Sequence, residues 1–408
     1  MQVIVIEALV KIGLLIGGLM TAAAYFVLLE RWIAAWVQDR KGPNRVGVPL
    51  TKIKLFGLGQ PLADGLKFIF KEEATPAHVD KVLFTLAPIT ILAAALATFA
   101  VIPFGSMIPP LSEDIEGLNR SIPLVIAPNV DVGMIFVFAL SSIAVYGVIL
   151  GGWASNNKYS FLGGLRSSAQ LIAYELPMGL GILGVVLFSG SLRLETIIDH
   201  QASSGVWNAF VQPLGFVVFL VASFAEAARL PFDLPEAEQE LIGGYHTEYA
   251  GMRLLMYLIA EFLHMITASF LIVILFFGGW HLWGLTGDAE TPITWPLAIL
   301  RVLVLNAKIF AVIVFFMMVR WSWPRFRFDQ LMALAWKVML PLGIINLVAV
   351  AVLVEFGWDT GKDWLGINPL VAMGGMWGLA IVSWWIAGII SPLSTDNRPR
   401  IETQELRT

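Results

Sequence analysis

Residues 254–280 read LLMYLIAEFLHMITASFLIVILFFGGW, an apolar stretch whose only acidic or basic side chains are Glu261 and His264. A helix rises about 1.5 Å per residue, and roughly 20 apolar residues cross a hydrocarbon core, so this stretch is long enough to span a bilayer. Eight further stretches share its character: 4–29, 82–104, 132–154, 167–192, 206–226, 296–319, 338–354 and 369–390. Within lipid the backbone must satisfy its own hydrogen bonds, which leaves a helix or a closed barrel. A barrel needs short segments of alternating polarity, and these runs are continuous. The sequence therefore predicts an all-α polytopic membrane protein with about nine transmembrane helices. Composition agrees: 58% of the chain is hydrophobic and 14% charged, with a mean hydropathy of +0.78, beyond what a soluble surface tolerates.

The same composition narrows the chemistry. With no cysteine, disulfides, thiolate metal sites and cysteine-ligated iron–sulfur clusters are excluded. A net charge of −4 spread over 408 residues points to no nucleic-acid partner. Of the histidines, His78, His200, His246, His264 and His281, only His264 lies well inside a span, so a pair of axial haem ligands is not available. No glycine-rich nucleotide fingerprint or phosphate-binding lysine loop appears. Any electrons must come from a partner.

Lysine and arginine fix the expected orientation. Twenty of the 26 basic residues fall in loops 30–81, 155–166, 227–253 and 320–337 and in the C-terminal tail, whereas the alternate loops hold only Arg120, Arg193 and Lys362. Positive loops stay cytoplasmic, which predicts N-out, C-in. The first span resembles a signal segment ending at Ala22-Ala23-Ala24. No basic residue precedes Glu7 and the apolar run continues to Leu29, so the span is expected to be retained. In the first cytoplasmic loop Leu62, Leu66, Ile69 and Phe70 recur at helical spacing after Pro61, with Asp64, Lys67 and Lys71 between them. This predicts an amphipathic helix, either lying in the membrane interface or packed on the protein's own inner face.

Ionisable groups inside spans are costly unless they face protein or water. Glu175 sits two residues before Pro177, whose missing N–H frees a carbonyl of the preceding turn. Glu261 and His264 share a face of the sixth span, as Arg301 and Lys308 share one of the seventh. Two readings follow. These groups form a chain of proton sites across the interior, or Glu175 and Glu261 are counter-ions of Lys308 and Arg301. Glu7 and Lys11 read as a simple i,i+4 pair.

Two long charged strings add a resemblance. Residues 30–47, ERWIAAWVQDRKGPNRVG, and 224–241, FAEAARLPFDLPEAEQEL, the latter continuing through GYHTEYAGMR at 244–253, closely resemble the signature loops of one membrane-subunit family of respiratory complex I. Its members are numbered 1 in mitochondria and lettered H in bacteria. The resemblance covers 1–356, a bundle of eight helices, and leaves 357–408 as a C-terminal extension with a ninth helix and a cytoplasmic tail. It implies a multi-pass subunit of the bacterial plasma (inner) membrane in a proton-translocating NADH:quinone oxidoreductase. Such a subunit walls the quinone chamber and binds no cofactor itself. Flavin and iron–sulfur clusters lie on partners, namely the hydrophilic-arm subunits with the terminal cluster and the quinone-site subunit. Small membrane-arm subunits and lipid complete the surroundings. By match to these strings, Arg31, Trp32, Gln38, Arg40, Asp64, Phe232 and Arg253 are expected to line the chamber. Glu175, Glu226, Asp233, Glu236, Glu238, Glu240, Glu248 and Glu261 are expected to be proton-linked.

The segment from Glu226 to Glu240 is the expected coupling element. Glu226 and Arg229 are i,i+3 and can pair, Glu236 and Glu240 are i,i+4 and repel, and Pro231 and Pro235 interrupt regular helix between them. Close carboxylates share protons, so a negative quinone species nearby would draw protons in. Three alternatives stay open on the sequence: the homologous subunit of a membrane-bound hydrogenase or another donor-linked complex, a stand-alone cation/proton transporter, and a passive scaffold for the hydrophilic arm. The absence of an evident internal repeat weighs against the transporter.

Overall fold

A computed structural model describes residues 2–47, 54, 56–110, 120–233, 243–287, 291–355 and 369–390. All nine apolar stretches are helical. Among the described residues, seven helices are long and apolar enough to cross a membrane, and two apolar helices are shorter. In chain order the helices are α1 (Gln2–Val37), α2 (Gln60–Phe70), α3 (Lys81–Thr98), α4 (Gly133–Ala154), α5 (Lys158–Ser189), α6 (Leu194–Ser204), α7 (Asn208–Val211), α8 (Pro213–Glu226) and α9 (Gly251–Phe276). They continue with α10 (Trp295–Ser322), α11 (Phe328–Glu355) and α12 (Pro369–Ile390).

Local chemistry sets several of these boundaries. The Asp80 carboxylate accepts from the amides of Val82 and Leu83 at 3.1 and 3.3 Å, capping the otherwise orphaned N–H groups of α3. Asn157 does the same for α5 through Tyr159 N, 2.9 Å away. α5 ends on Gly190 at φ +66, the left-handed conformation that a β-carbon disfavours. The fifth apolar stretch is not one helix. Pro213 has no N–H to continue α7, the chain bends at Gln212, and α8 begins on the proline. Asn346 of α11 closes the break by accepting from Gly215 N at 3.1 Å.

α9, which carries Glu261 and His264, is the central helix. It is buried along most of its length and packs against α1, α3, α8 and α10. A second layer of α4, α5 and α11 wraps α3 and α8, and α12 lies outside α8 and α11. The all-α expectation misses a small element. Residues 107–108 and 122–123 form a two-stranded antiparallel ladder in the loop between α3 and α4. α2 is a helix as predicted, but none of its residues is buried. Leu62, Leu66, Ile69 and Phe70 are all exposed, so its apolar face does not pack on the protein. α2 is tied to α1 by Arg31 and Asp64 at 2.8 Å.

Candidate functional site

Two cavities meet at Glu261. The larger, about 710 Å³, lies between α1, α2, α9 and α10. Its flank is hydrocarbon, with Ala24, Val27, Leu28, Leu258 and Ile259, while one end carries Glu30, Arg31, Arg40, Asp64, Arg229 and Arg320. These charges are ordered by one another. Glu30 accepts from Arg320 at 2.5 Å and from Arg229 at 3.4 Å. The Arg229 guanidinium also lies 4.2 Å from the centre of the Phe262 ring, a desolvated cation–π contact.

The smaller cavity, about 50 Å³, lies between α4, α5, α8 and α9 and is lined by Glu175, Glu226, Glu261, His264, Tyr245 and Tyr257 among others. Ser142 Oγ donates to the Glu175 carboxylate and Ser141 Oγ to that of Glu226. Tyr245 Oη donates to Glu261 Oε1 at 3.4 Å. Three carboxylates from three helices thus line one small, largely apolar cavity, and Glu261 lines both cavities.

The residues expected at the chamber divide. Arg31, Arg40 and Asp64 line the larger cavity. Trp32 faces a separate groove of about 470 Å³ with Trp36, its Nε1 donating to Pro43 O at 2.9 Å. Gln38 orients Arg40 through a 2.9 Å hydrogen bond. Phe232 is packed between Tyr174 and Phe326, and Gln170 Nε2 holds its loop by donating to Ala225 O and Phe232 O. Arg253 reaches Thr75 at 3.0 Å and Glu73 at 3.8 Å, which pins the loop before α3.

The expected proton-linked set divides as well. Glu175, Glu226 and Glu261 converge, whereas Asp233 is buried against Arg325 at 3.0 Å and Glu248 accepts from Asn157 Nδ2 at 2.5 Å. Glu236, Glu238 and Glu240 lie outside the described residues. The expected i,i+3 pairing of Glu226 with Arg229 is not made. α8 ends at Glu226, which turns into the small cavity toward Ser141, while Arg229 points to Glu30.

The counter-ion alternative is also corrected for Lys308. Its ammonium donates to the carbonyls of Phe277, Gly279 and His281 at 2.7, 3.0 and 2.5 Å, where α9 runs out of backbone donors, and it lies over Trp207. Arg301 reaches Thr286 O at 3.1 Å and Thr291 Oγ1 at 3.2 Å. Burial raises the Asp199 carboxyl above its ordinary pKa, and nearby Arg301 pulls it back. The two basic residues therefore serve the far end of α9, not the carboxylate cluster.

Sequence reasoning missed Glu30, Arg320, Ser141 and Ser142. Glu30 opens the charged string 30–47, and the adjacent serines stand in an otherwise apolar span, so both left a signal. Nothing local marks Arg320, which meets Glu30 only through the packing of α1 beside α10.

Helices of membrane-spanning length around a core that holds carboxylates define a polytopic membrane protein with an ionisable interior. A family model described as NADH dehydrogenase matches residues 10–351. The chain is 48% identical over 340 residues to the first H-type subunit of NADH-quinone oxidoreductase from Geobacter metallireducens, covering 83% of this chain and 94% of that protein. It is 46% identical over 338 residues to the second H-type subunit of Geobacter sulfurreducens, covering 83% and 93%. Against the H-type subunit of Protochlamydia amoebophila it is 46% identical over 331 residues, covering 81% and 92%. The chain belongs to this family, the H-type membrane subunits of NADH-quinone oxidoreductase.

Proposed function

We propose that this chain walls the quinone chamber of a proton-translocating NADH:quinone oxidoreductase and links quinone reduction to proton uptake through its buried carboxylates. The observation that carries the reading is Glu261, which lines both the large amphiphilic cavity and the small carboxylate cavity. The larger volume, about 710 Å³, falls within the range of small-molecule sites, and its hydrocarbon flank with a few convergent polar groups suits a headgroup on an isoprenoid tail. Arg31, Arg40 and Asp64 contact the quinone, with Glu30, Arg229 and Arg320 fixing the charged end. Trp32, Gln38, Phe232 and Arg253 hold the surrounding loops.

Charge that appears on the quinone during reduction shifts the protonation of Glu261, and Glu175 and Glu226 lie next in line. Asp233, Glu236, Glu238, Glu240 and Glu248 belong to the entry side of the same path. Nine crossings with N-out, C-in orientation put the charged end of the chamber on the cytoplasmic side of a bacterial plasma membrane. There the hydrophilic-arm subunits, with flavin and iron–sulfur clusters, deliver electrons from NADH. The exposed apolar face of α2 lies in the lipid interface beside the entrance. A photoreactive quinone analogue applied to the assembled complex should label α1 and α9 around Val27 and Leu258, with competition by unlabelled quinone. Labelling confined to other subunits, with none on this chain, overturns the chamber assignment.

A further inference from the structure

The chain just beyond α9 is shaped as a cup for a cation. Gly278 and Gly279 follow one another in the left-handed region, at φ +69 and +54, a backbone that L side chains rarely adopt. A side chain would also lack room, since a β-carbon on Gly279 would lie 2.8 Å from Ile198 Cδ1 and one on Gly278 3.0 Å from Trp207 Cδ1. The two glycines turn the chain so that the carbonyls of three alternate residues, Phe277, Gly279 and His281, face one point. Trp207, just before α7, forms a wall of the cup. Its ring is stacked on Trp283 with centroids 4.3 Å apart and set edge-on to Phe277 at 5.6 Å.

These groups define the ligand. Three carbonyl oxygens and an indole face are all electron-rich, and the negative end of the α9 dipole adds to them. An anion is repelled there, and a neutral hydroxyl can give its one hydrogen to only one of the carbonyls. A primary ammonium carries three N–H donors on one charge, one for each oxygen. In this chain the ammonium comes from α10: Lys308 Nζ donates to the carbonyls of Phe277, Gly279 and His281 at 2.7, 3.0 and 2.5 Å, and lies 4.8 Å from the centre of the Trp207 ring. Lys308 makes no ion pair among the described residues, and dipoles hold its charge.

We propose that residues 277–281 and Trp207 form a receptor for a primary ammonium ion, which Lys308 fills from within the chain, and that this bound charge fastens the C-terminal end of α9 to α10. Carbonyls at a helix end have no intrahelical donor, and one side chain here satisfies three of them at once. Loss of the ammonium strands all three on the helix that carries Glu261. A small free amine can then enter the cup in place of the lost side chain, provided that the substituted residue leaves it space. The receptor stands on backbone geometry and is independent of the quinone and proton readings proposed above.

The test follows the decay of quinone-reductase activity at fixed temperature in the solubilised, assembled complex carrying Lys308→Ala or Lys308→Met. Both variants should decay about tenfold faster than the parent, because buried carbonyl oxygens lose a charged donor. Saturating methylammonium chloride should slow the decay of Lys308→Ala by about tenfold, as a ligand of the folded state does. It should leave the parent and Lys308→Met unchanged, since lysine and methionine side chains already occupy the space. Tetramethylammonium chloride at the same concentration has the charge but no N–H, and should slow neither variant. Parental decay in both variants overturns the fastening. Failure of methylammonium to slow Lys308→Ala, equal slowing by tetramethylammonium, or equal slowing of Lys308→Met overturns the receptor. Should Lys308→Ala not assemble, Lys308→Gln, which keeps two N–H donors without the charge, is read for the same decay: faster decay supports the bound charge and a parental rate overturns it.

Discussion

Glu30 is held between two guanidiniums at the charged end of the large cavity, and its loss gives a quantitative prediction. Its oxygens are 2.5 Å from Arg320 and 3.4 Å from Arg229, with side-chain exposures of 12%, 16% and 6% for the three residues. At an effective dielectric of about 20, one unit-charge pair at about 3 Å is worth roughly 5 kcal/mol before desolvation. Removing one member of a buried pair costs about 3–5 kcal/mol, because the remaining charge stays desolvated. Here the residual exposure favours the lower end, near 3 kcal/mol. Glu30→Gln keeps the shape, removes the charge, and brings the two arginines into mutual repulsion where α1 meets α10. If this cost appears in the barrier to inactivation, quinone-reductase activity of the solubilised complex should decay up to about 100-fold faster at fixed temperature. Arg320→Met should have a comparable effect. The double variant should recover roughly 2 kcal/mol relative to additivity, since the contact between the two side chains is lost only once. Inactivation rates within about twofold of the parent for both single variants, or strictly additive effects, would show that the ion pair does not organise this end of the cavity.

Glu261→Gln preserves an acceptor for Tyr245 but removes the titrating proton, and should lower quinone reduction and proton pumping at least about tenfold with artificial-acceptor activity intact; equal loss of artificial-acceptor activity would place the fault in assembly. Glu175→Gln should lower pumping while the complex assembles, and normal pumping in those membranes would reduce Glu175 to a hydrogen-bond partner of Ser142. Glu236→Gln combined with Glu240→Gln should depress electron transfer from NADH to quinone severely; an assembled double variant with parental rate and pumping would make that loop a docking surface. Single cysteines placed at Arg40, Glu248 and Thr408 in this cysteine-free chain should be labelled by an impermeant reagent only from the cytoplasmic side, and labelling of Thr408 from the outside alone would remove α12 as a crossing.

The apolar runs determined nearly all of the secondary structure, because in lipid a long hydrophobic segment has one way to satisfy its backbone. Every stretch read as a span is helical, and α2 appears where Leu62, Leu66, Ile69 and Phe70 gave a helical stripe after Pro61. The break at Gln212 was legible only as a proline in an apolar run. That a second helix would supply Asn346 to close it was not. The cost of burying charge marked Glu175 and Glu261 without any partner in view, but it could not say which groups would meet. Periodicity put Arg301 and Lys308 on one face, yet their partners are loop oxygens at the end of α9, chosen by how α10 packs. Spacing allowed Glu226 to reach Arg229, and tertiary packing gave Glu226 to Ser141 and Arg229 to Glu30, partners 85 and 199 residues apart in the chain. Sequence distance carries local geometry, through the helical repeat and the proline constraint. The choice among partners far apart in the chain is made when helices pack, and that choice sets Glu261 between the two cavities.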